Sequence, residues 1–119
     1  MATVLVVDDE VELCLALKMY LERMGHRVVL FHSGKAARSF VSGGGIVPDY
    51  AFVDHQLGSE SGAELVVYLM EVMPGLRVIL MSGFPLDEDE LPQFPDAKVE
   101  FLQKPFRSAE VADCLQRVG

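Results

Sequence analysis

The sequence predicts an α/β domain with a doubly wound parallel sheet of five strands, and two observations support this prediction. Short apolar runs rich in β-branched residues alternate with segments whose apolar residues recur at helical spacing. Strands that are separated by helices pair in parallel, because each return to the sheet needs a crossover connection. The runs are also apolar throughout, which is typical of strands covered by helices on both faces.

Each predicted strand is one of these apolar runs: Val4–Val7, Val28–Phe31, Tyr50–Val53, Val78–Met81 and Val99–Leu102. Four helices are predicted from apolar spacing and from capping residues. They span Glu10–Met24 (with Gly25 as a C-terminal cap), Ser33 to about Val41, Ser61 to the Pro74-Gly75 stop, and Ser108 to about Arg117.

The connection between the fourth and fifth strands differs from the others. Residues 84–96 contain three prolines, Pro85, Pro92 and Pro95. A proline inside a helix costs roughly 3 kcal/mol, so about two helical turns at most fit here. The fourth crossover helix is therefore predicted to be short, irregular or mobile.

Length and charge narrow the class of protein. With 119 residues, the chain is expected to form one domain over 1–119. The net charge of −8 argues against direct binding of nucleic acid, which needs clustered Lys and Arg. Neither a membrane-spanning apolar run nor a signal peptide is recognisable, so a cytoplasmic domain without membrane contact is expected, in which Cys14 and Cys114 are buried reduced thiols.

Polar residues follow several of the predicted strands, at the sheet edge where open α/β sheets bind ligands. Asp8 and Asp9 follow the first strand, and Asp54 ends the third. Ser82 follows the fourth strand and Lys104 the fifth. We expect these side chains to converge on one rim.

The chemistry of such a rim follows from its charges. Three carboxylates stay ionised together only if a cation shares the site, and oxygen ligands favour Mg²⁺ or Mn²⁺. A cation, an ammonium and a hydroxyl suit a tetrahedral phosphoryl group, and a carboxylate in the site can itself be the nucleophile. By contrast, His26, His32 and His55 share no spacing typical of a zinc or copper site.

Five short motifs, in this order and spacing, resemble those of the response-regulator receiver domain of two-component signalling. They are VLVVDDE at 4–10, FVD at 52–54, Gly62, MSG at 81–83 and KPF at 104–106. The resemblance covers the whole chain and implies a flavodoxin-like sheet with strand order 2-1-3-4-5. It also implies a phosphoacceptor switch rather than a metabolic enzyme, with self-catalysed phosphotransfer and slow autodephosphorylation.

The resemblance assigns a role to each matching residue. Asp54 is the phosphoacceptor, which takes a phosphoryl group from a phosphohistidine on a histidine kinase or a histidine phosphotransfer domain. Asp9 is a direct Mg²⁺ ligand, Asp8 acts through water, and the backbone carbonyl of Gln56 completes the protein ligands. Ser82 and Lys104 bind the phosphoryl group.

Further roles concern switching and backbone geometry. Phe101 matches the aromatic rotamer switch, and the Gln56 side chain and Phe84 occupy positions that tune the lifetime of the aspartyl phosphate. Gly62 and Pro105 have structural roles, and the Lys104–Pro105 bond is often cis in the family. Residues 57–61 depart from the family, in which Met-Pro is common there, so a looser turn is expected.

The output and two alternatives stay open. The ending resembles receivers of hybrid sensor histidine kinases, so the parent of this domain could be such a kinase. No DNA-binding segment follows the last helix, so the output is expected in another chain or in the rest of a longer protein, with an unknown downstream partner. The alternatives are a pseudo-receiver that only binds proteins and a small Mg²⁺-dependent phosphohydrolase. Phosphohydrolases of that kind carry Asp-x-Asp and a cap domain, which this sequence lacks.

Overall fold

The computed structural model describes residues 2–85 and 99–119. The strands are β1 Thr3–Val7, β2 Arg27–Phe31, β3 Tyr50–Asp54, β4 Gln56–Leu57, β5 Glu60–Ser61, β6 Arg77–Ser82 and β7 Val99–Gln103. The helices are α1 Val11–Arg23, α2 Gly34–Ser42, α3 Gly62–Val72 and α4 Ser108–Val118.

Five of the strands form one parallel sheet in the order β2-β1-β3-β6-β7. Because β4 and β5 pair only with each other, β6 and β7 are the fourth and fifth strands of the predicted sheet. The predicted order 2-1-3-4-5 and the doubly wound class are therefore confirmed, and each predicted strand agrees with the observed one to within a residue at either end.

The sheet has a hydrophobic core on each face, which explains why its strands are apolar throughout. In β1, Val4 and Val6 belong to the core that also contains residues of α1 and α4. Leu5 and Val7 belong to the opposite core, shared with α2 and α3. Alternate side chains of a strand point to opposite faces, so a strand covered on both sides needs apolar residues at every position.

The helix starts follow the predicted capping residues in two cases out of three. The Ser33 hydroxyl accepts a hydrogen bond from the Ala36 N–H at the start of α2, and the Ser61 hydroxyl accepts one from Glu64 at the start of α3. The prediction for the last helix was wrong by one residue. Ser108 is the first helical residue, and the preceding N–H, that of Arg107, is satisfied by the Glu110 carboxylate at 2.9 Å.

The proline-rich fourth crossover falls largely on residues 86–98, which lie outside the described residues. Both cysteines are buried free thiols, as expected. No helix in the described ranges has the length and apolar character needed to cross a membrane.

Candidate functional site

The carboxyl ends of the parallel strands bring the predicted polar residues to one rim of the sheet. Asp8 follows β1, Asp54 ends β3, Ser82 ends β6 and Lys104 follows β7. An open cavity of about 330 Å³ lies at this rim. Its lining consists of Asp9, Glu10, Asp54, His55, Gln56, Gly58, Ser82, Gly83, Phe84 and Lys104.

Lys104 is the hub of the ion pairs at this rim. Its Nζ lies 2.9 Å from Asp8 Oδ2 and 3.2 Å from Asp54 Oδ2, and both carboxylates are buried. A third contact, 3.0 Å long, reaches Oε1 of the exposed Glu10. Burial disfavours the charged ammonium, but its hydrogen bonds and charge pairing with these carboxylates outweigh burial and raise the pKa of Lys104 above its ordinary value.

Asp54 has a strongly perturbed carboxyl group. Burial, and then the neighbouring Asp8 carboxylate, raise the pKa of Asp54 from 3.8 to about 6, while Lys104 and the Gln56 N–H act in the opposite direction. One ammonium thus compensates the buried carboxylates only in part. A cation bound among these carboxylates would supply the remaining positive charge.

The donor set fits a hard divalent ion. Asp8, Asp9, Glu10 and Asp54 each offer a carboxylate oxygen, and these oxygens lie within 4.8 Å of one another. Asp8 Oδ2 is buried and forms the ion pair with Lys104, but no well-aligned hydrogen bond reaches it from the described part of the chain. Carboxylate oxygens of this kind are the ligands that Mg²⁺ prefers. In the receiver domains that the sequence resembles, an acidic pocket of this kind binds Mg²⁺.

Glu10 is a member of this cluster that the sequence prediction did not assign. It follows Asp9 directly, so the run of three acidic residues was the available signal. Its contact with Lys104 joins residues 94 positions apart, and no local pattern predicts a pair at that separation.

The segment after Asp54 forms a short hairpin, whereas a looser turn was expected from its departure from the family pattern. Gln56–Leu57 pairs antiparallel with Glu60–Ser61, and Gly58 has φ +61° between them. The Gly58 N–H donates to Asp9 Oδ2 at 3.1 Å. This hairpin and its contact with Asp9 place the segment at the rim, and the looseness of the turn stays a prediction.

A further contact ties this hairpin to α2. The Glu60 carboxylate accepts a hydrogen bond of 3.2 Å from the N–H of Gly34, the first residue of α2. A carboxylate is favourable at a helix N-terminus because of the exposed N–H groups and the helix dipole. Glu60 therefore supplements Ser33 in capping this helix.

Gly62 lies where α3 begins, directly against the end of β3. Its N–H donates to the His55 carbonyl at 2.8 Å. A Cβ atom at this position would overlap the backbone carbonyl of Asp54. Only glycine fits here without moving the backbone of Asp54.

The remaining predicted residues lie around the cavity. The Ser82 hydroxyl is buried and accepts a hydrogen bond from the Phe84 N–H at 3.2 Å. The Phe101 ring is 38% exposed beside a second cavity of about 270 Å³. The Lys104–Pro105 peptide bond is cis. His55 packs its ring edge-on against Phe84, with 6.0 Å between ring centroids, and both residues line the first cavity.

The three histidines lie apart. The His26 ring accepts a hydrogen bond from the Ala2 N–H at the amino-terminal ends of β1 and β2. His32 reaches the Asp8 carbonyl, at the carboxyl end of β1. Among the residues that the structure describes, the acidic cluster is the one group of three or more potential metal ligands.

Comparison with known proteins identifies the class that this fold and site define. Residues 4–116 match the family described as the response regulator receiver domain, and the chain belongs to this family. It is thus a receiver domain of two-component signalling, a class of phosphoacceptor switches rather than of conventional enzymes.

Individual relatives agree with this assignment. The chain is 28% identical over 114 residues to response regulator GtcR of Aneurinibacillus migulanus, and 30% identical over 109 residues to the probable transcriptional regulatory protein TcrX of Mycobacterium tuberculosis. These matches cover 96% and 92% of the chain. The chain spans only 46% of the length of each of these two relatives.

Solved structures of receivers superimpose closely on the chain. A response regulator receiver protein from Sinorhizobium medicae has a TM-score of 0.86 and 25% identity, with 98% of this chain and 93% of that chain covered. A response regulator from Burkholderia pseudomallei has a TM-score of 0.83 and 26% identity, with 98% and 67% covered. That second structure contains a phosphorylated aspartic acid, a calcium ion and citrate.

Proposed function

We propose that Asp54 accepts a phosphoryl group from a phosphohistidine of a histidine kinase or of a histidine phosphotransfer domain. The observation that carries this proposal is the position of the Asp54 carboxylate. It lies at an open cavity, 3.2 Å from the Lys104 ammonium and within an acidic cluster that fits a divalent cation. A nucleophile, a cation site and a counter-charge for the phosphoryl oxygens are thus within reach of one another.

The transfer is a displacement at phosphorus. An Asp54 carboxylate oxygen forms a bond to phosphorus while the phosphorus–nitrogen bond to the donor imidazole breaks. The electron pair of that bond returns to the imidazole nitrogen. Asp9, Asp54 and the Gln56 carbonyl would hold Mg²⁺ or Mn²⁺ directly, and Asp8 would hold it through water. When bound, the ion supplies positive charge that screens the carboxylates and the phosphoryl oxygens.

The acyl phosphate then changes the contacts at the rim. In the unphosphorylated domain the Ser82 hydroxyl accepts from the Phe84 N–H, and as a donor it would turn to a phosphoryl oxygen. Lys104 would exchange part of its pairing with Asp8 and Glu10 for the new charge. The exposed Phe101 ring borders the cavity of about 270 Å³ that is also lined by Ser82, and would turn into it. The result is a population shift between two surface conformations.

Loss of the phosphoryl group by slow autodephosphorylation ends the signal. Gln56 and Phe84 both line the acceptor cavity, so their side chains are placed to control how water reaches the acyl phosphate. The partner is a histidine-phosphorylated protein in the cytoplasm, and the output belongs to a downstream protein or to a longer parent chain. A hybrid sensor histidine kinase is one such parent.

Intact mass spectrometry tests the proposal. The protein is incubated with Mg²⁺ and acetyl phosphate and weighed, alongside Asp54→Asn and the matched surface control Asp113→Asn. The wild-type protein and the control should gain one phosphoryl group, and Asp54→Asn should gain none. No gain in wild type would favour the pseudo-receiver, an equal gain in Asp54→Asn would refute the acceptor assignment, and rapid turnover of phosphate esters would favour the phosphohydrolase.

A further inference from the structure

The carbonyl of Asp8 receives two side-chain contacts from different elements. His32, which follows β2, lies with Nδ1 3.0 Å from Asp8 O. The thiol of Cys14, on α1, donates to the same oxygen at 3.3 Å. Because a carbonyl oxygen carries no hydrogen, the His32 Nδ1 must carry the proton of this contact. Two donors therefore converge on one backbone acceptor.

This carbonyl belongs to the peptide that joins Asp8 to Asp9. A peptide unit is planar, so a restraint on the orientation of its oxygen also restrains the positions of the two Cα atoms in that plane, here those of Asp8 and Asp9. Both residues are in the acidic cluster. A restraint on this oxygen is consequently a restraint on two of the carboxylates that would hold the divalent ion.

Other polar groups of Asp8 and Asp9 also form hydrogen bonds. The Asp8 N–H donates to the Phe31 carbonyl, and Asp8 Oδ1 accepts from the Glu10 N–H at 2.9 Å. Asp9 Oδ2 accepts from Gly58. The Asp8 carbonyl differs from these groups because two side chains restrain it, those of His32 after β2 and of Cys14 on α1.

We propose that His32 is a positioning residue for the divalent-cation site, acting through its hydrogen bond to the Asp8 carbonyl, with Cys14 as the second donor. The inference rests on the proposed function only in requiring that the acidic cluster binds Mg²⁺. Ligands held in place before binding lose less freedom when the ion arrives, which is why groups that orient metal ligands affect metal affinity. His32 is exposed, so its substitution leaves the two cores intact.

Isothermal titration calorimetry of Mg²⁺ into the metal-free protein tests the role of His32. We expect His32→Ala to raise the Kd for Mg²⁺ by roughly three- to tenfold. This effect is at or below the lower end of the roughly 10- to 100-fold loss seen when groups that orient metal ligands are removed, because His32 acts on a backbone carbonyl and not on a carboxylate. His32→Asn keeps a side-chain N–H that can reach the carbonyl and should recover most of the affinity. Combining His32→Ala with Cys14→Ala should weaken binding further than either change alone.

A matched control separates positioning from stability. The His26 ring also makes a hydrogen bond to the backbone, to the Ala2 N–H at the amino-terminal ends of β1 and β2. His26→Ala should leave the Kd for Mg²⁺ unchanged, and thermal unfolding of both variants reports any general loss of stability. In metal-free protein, the NMR signal of the Asp9 amide should shift or broaden in His32→Ala but not in His26→Ala.

Two results would overturn the inference. One is a Kd for His32→Ala within twofold of wild type, and the other is equal weakening by His32→Ala and His26→Ala. Failure of the wild-type protein to bind Mg²⁺ would instead refute the metal site of the proposed function, and this inference with it. Because binding is measured without a phosphodonor, these results are independent of whether Asp54 is phosphorylated.

Discussion

Replacing Asp54 by Asn should stabilise the metal-free domain at neutral pH. The carboxyl is 6% exposed and close to the Asp8 carboxylate, and these two causes raise its pKa from 3.8 to about 6. That difference corresponds to a cost of about 3 kcal/mol for ionising Asp54 inside the fold. Solvent in the open cavity screens part of the cost, so we expect Asp54→Asn to raise the free energy of unfolding by about 1–2 kcal/mol at pH 7.5.

The pH dependence gives this prediction its sign. A carboxyl with a raised pKa in the folded state contributes its stabilisation below about pH 4, and this contribution is lost as the pH rises through about 6. Asn stays uncharged, so the advantage of Asp54→Asn over wild type should be small at pH 4 and should grow until about pH 7. Taking the difference between the two proteins removes the contributions of other titrating groups.

Urea unfolding in EDTA, at several pH values, measures this difference. Asp113→Asn removes an exposed carboxylate on α4 and should show no comparable change with pH. A wild-type protein as stable as Asp54→Asn at pH 7.5, or a difference that is constant from pH 4 to 7.5, would refute the reasoning. In that case Lys104 would already neutralise the site without a metal ion.

Three other predictions concern single contacts. Gly62→Ala should destabilise the domain by about 2–3 kcal/mol or prevent folding, because the added methyl group would overlap the Asp54 carbonyl. In the control Gly75→Ala, the added methyl group meets no atom within 4 Å, so the change should be nearly neutral. Equal effects of the two substitutions in urea unfolding would contradict this prediction. Glu60→Ala should cost about 1 kcal/mol by removing the acceptor of the Gly34 N–H, whereas the exposed Glu71→Ala should cost nothing measurable. In a crystal structure with a bound phosphoryl mimic and Mg²⁺, the Phe101 ring should be buried, and a ring as exposed as here would defeat its assignment as a switch.

The sheet and the main site residues could be predicted because their signals are local. An apolar run without alternation indicates a strand between two helical layers, and β1 and β3 fit that pattern along nearly their whole length. Parallel topology then places every residue that follows a strand at one rim. Asp8, Asp54 and Lys104 therefore lie together as expected, although the first and the last are 96 positions apart in the chain.

What the sequence did not predict depends on contacts between distant residues or on a few backbone angles. Glu10 reaches Lys104 and Glu60 reaches Gly34 across long separations, and no periodicity records such pairs. The β4–β5 hairpin has two residues in each strand, too few to show alternation. Ser108 looked like a helix cap, but the Glu110 carboxylate accepts the Arg107 N–H and Ser108 is itself helical, so the helix starts one residue earlier than a Ser108 cap implies.

The close approach of Gly62 to the end of β3 matters when receivers are engineered by exchange of segments. Residues 50–72 run from β3 through the hairpin into α3, and they are linked by the His55–Gly62 hydrogen bond and by the Gln56–Ser61 pairing. A chimaera whose junction falls between residues 55 and 61 would join two halves that evolved against different partners. Chimaeras that exchange residues 50–72 as one segment keep Asp54 together with the hairpin and Gly62 that support it, so these are the ones we expect to fold with the Asp54 carboxylate in place.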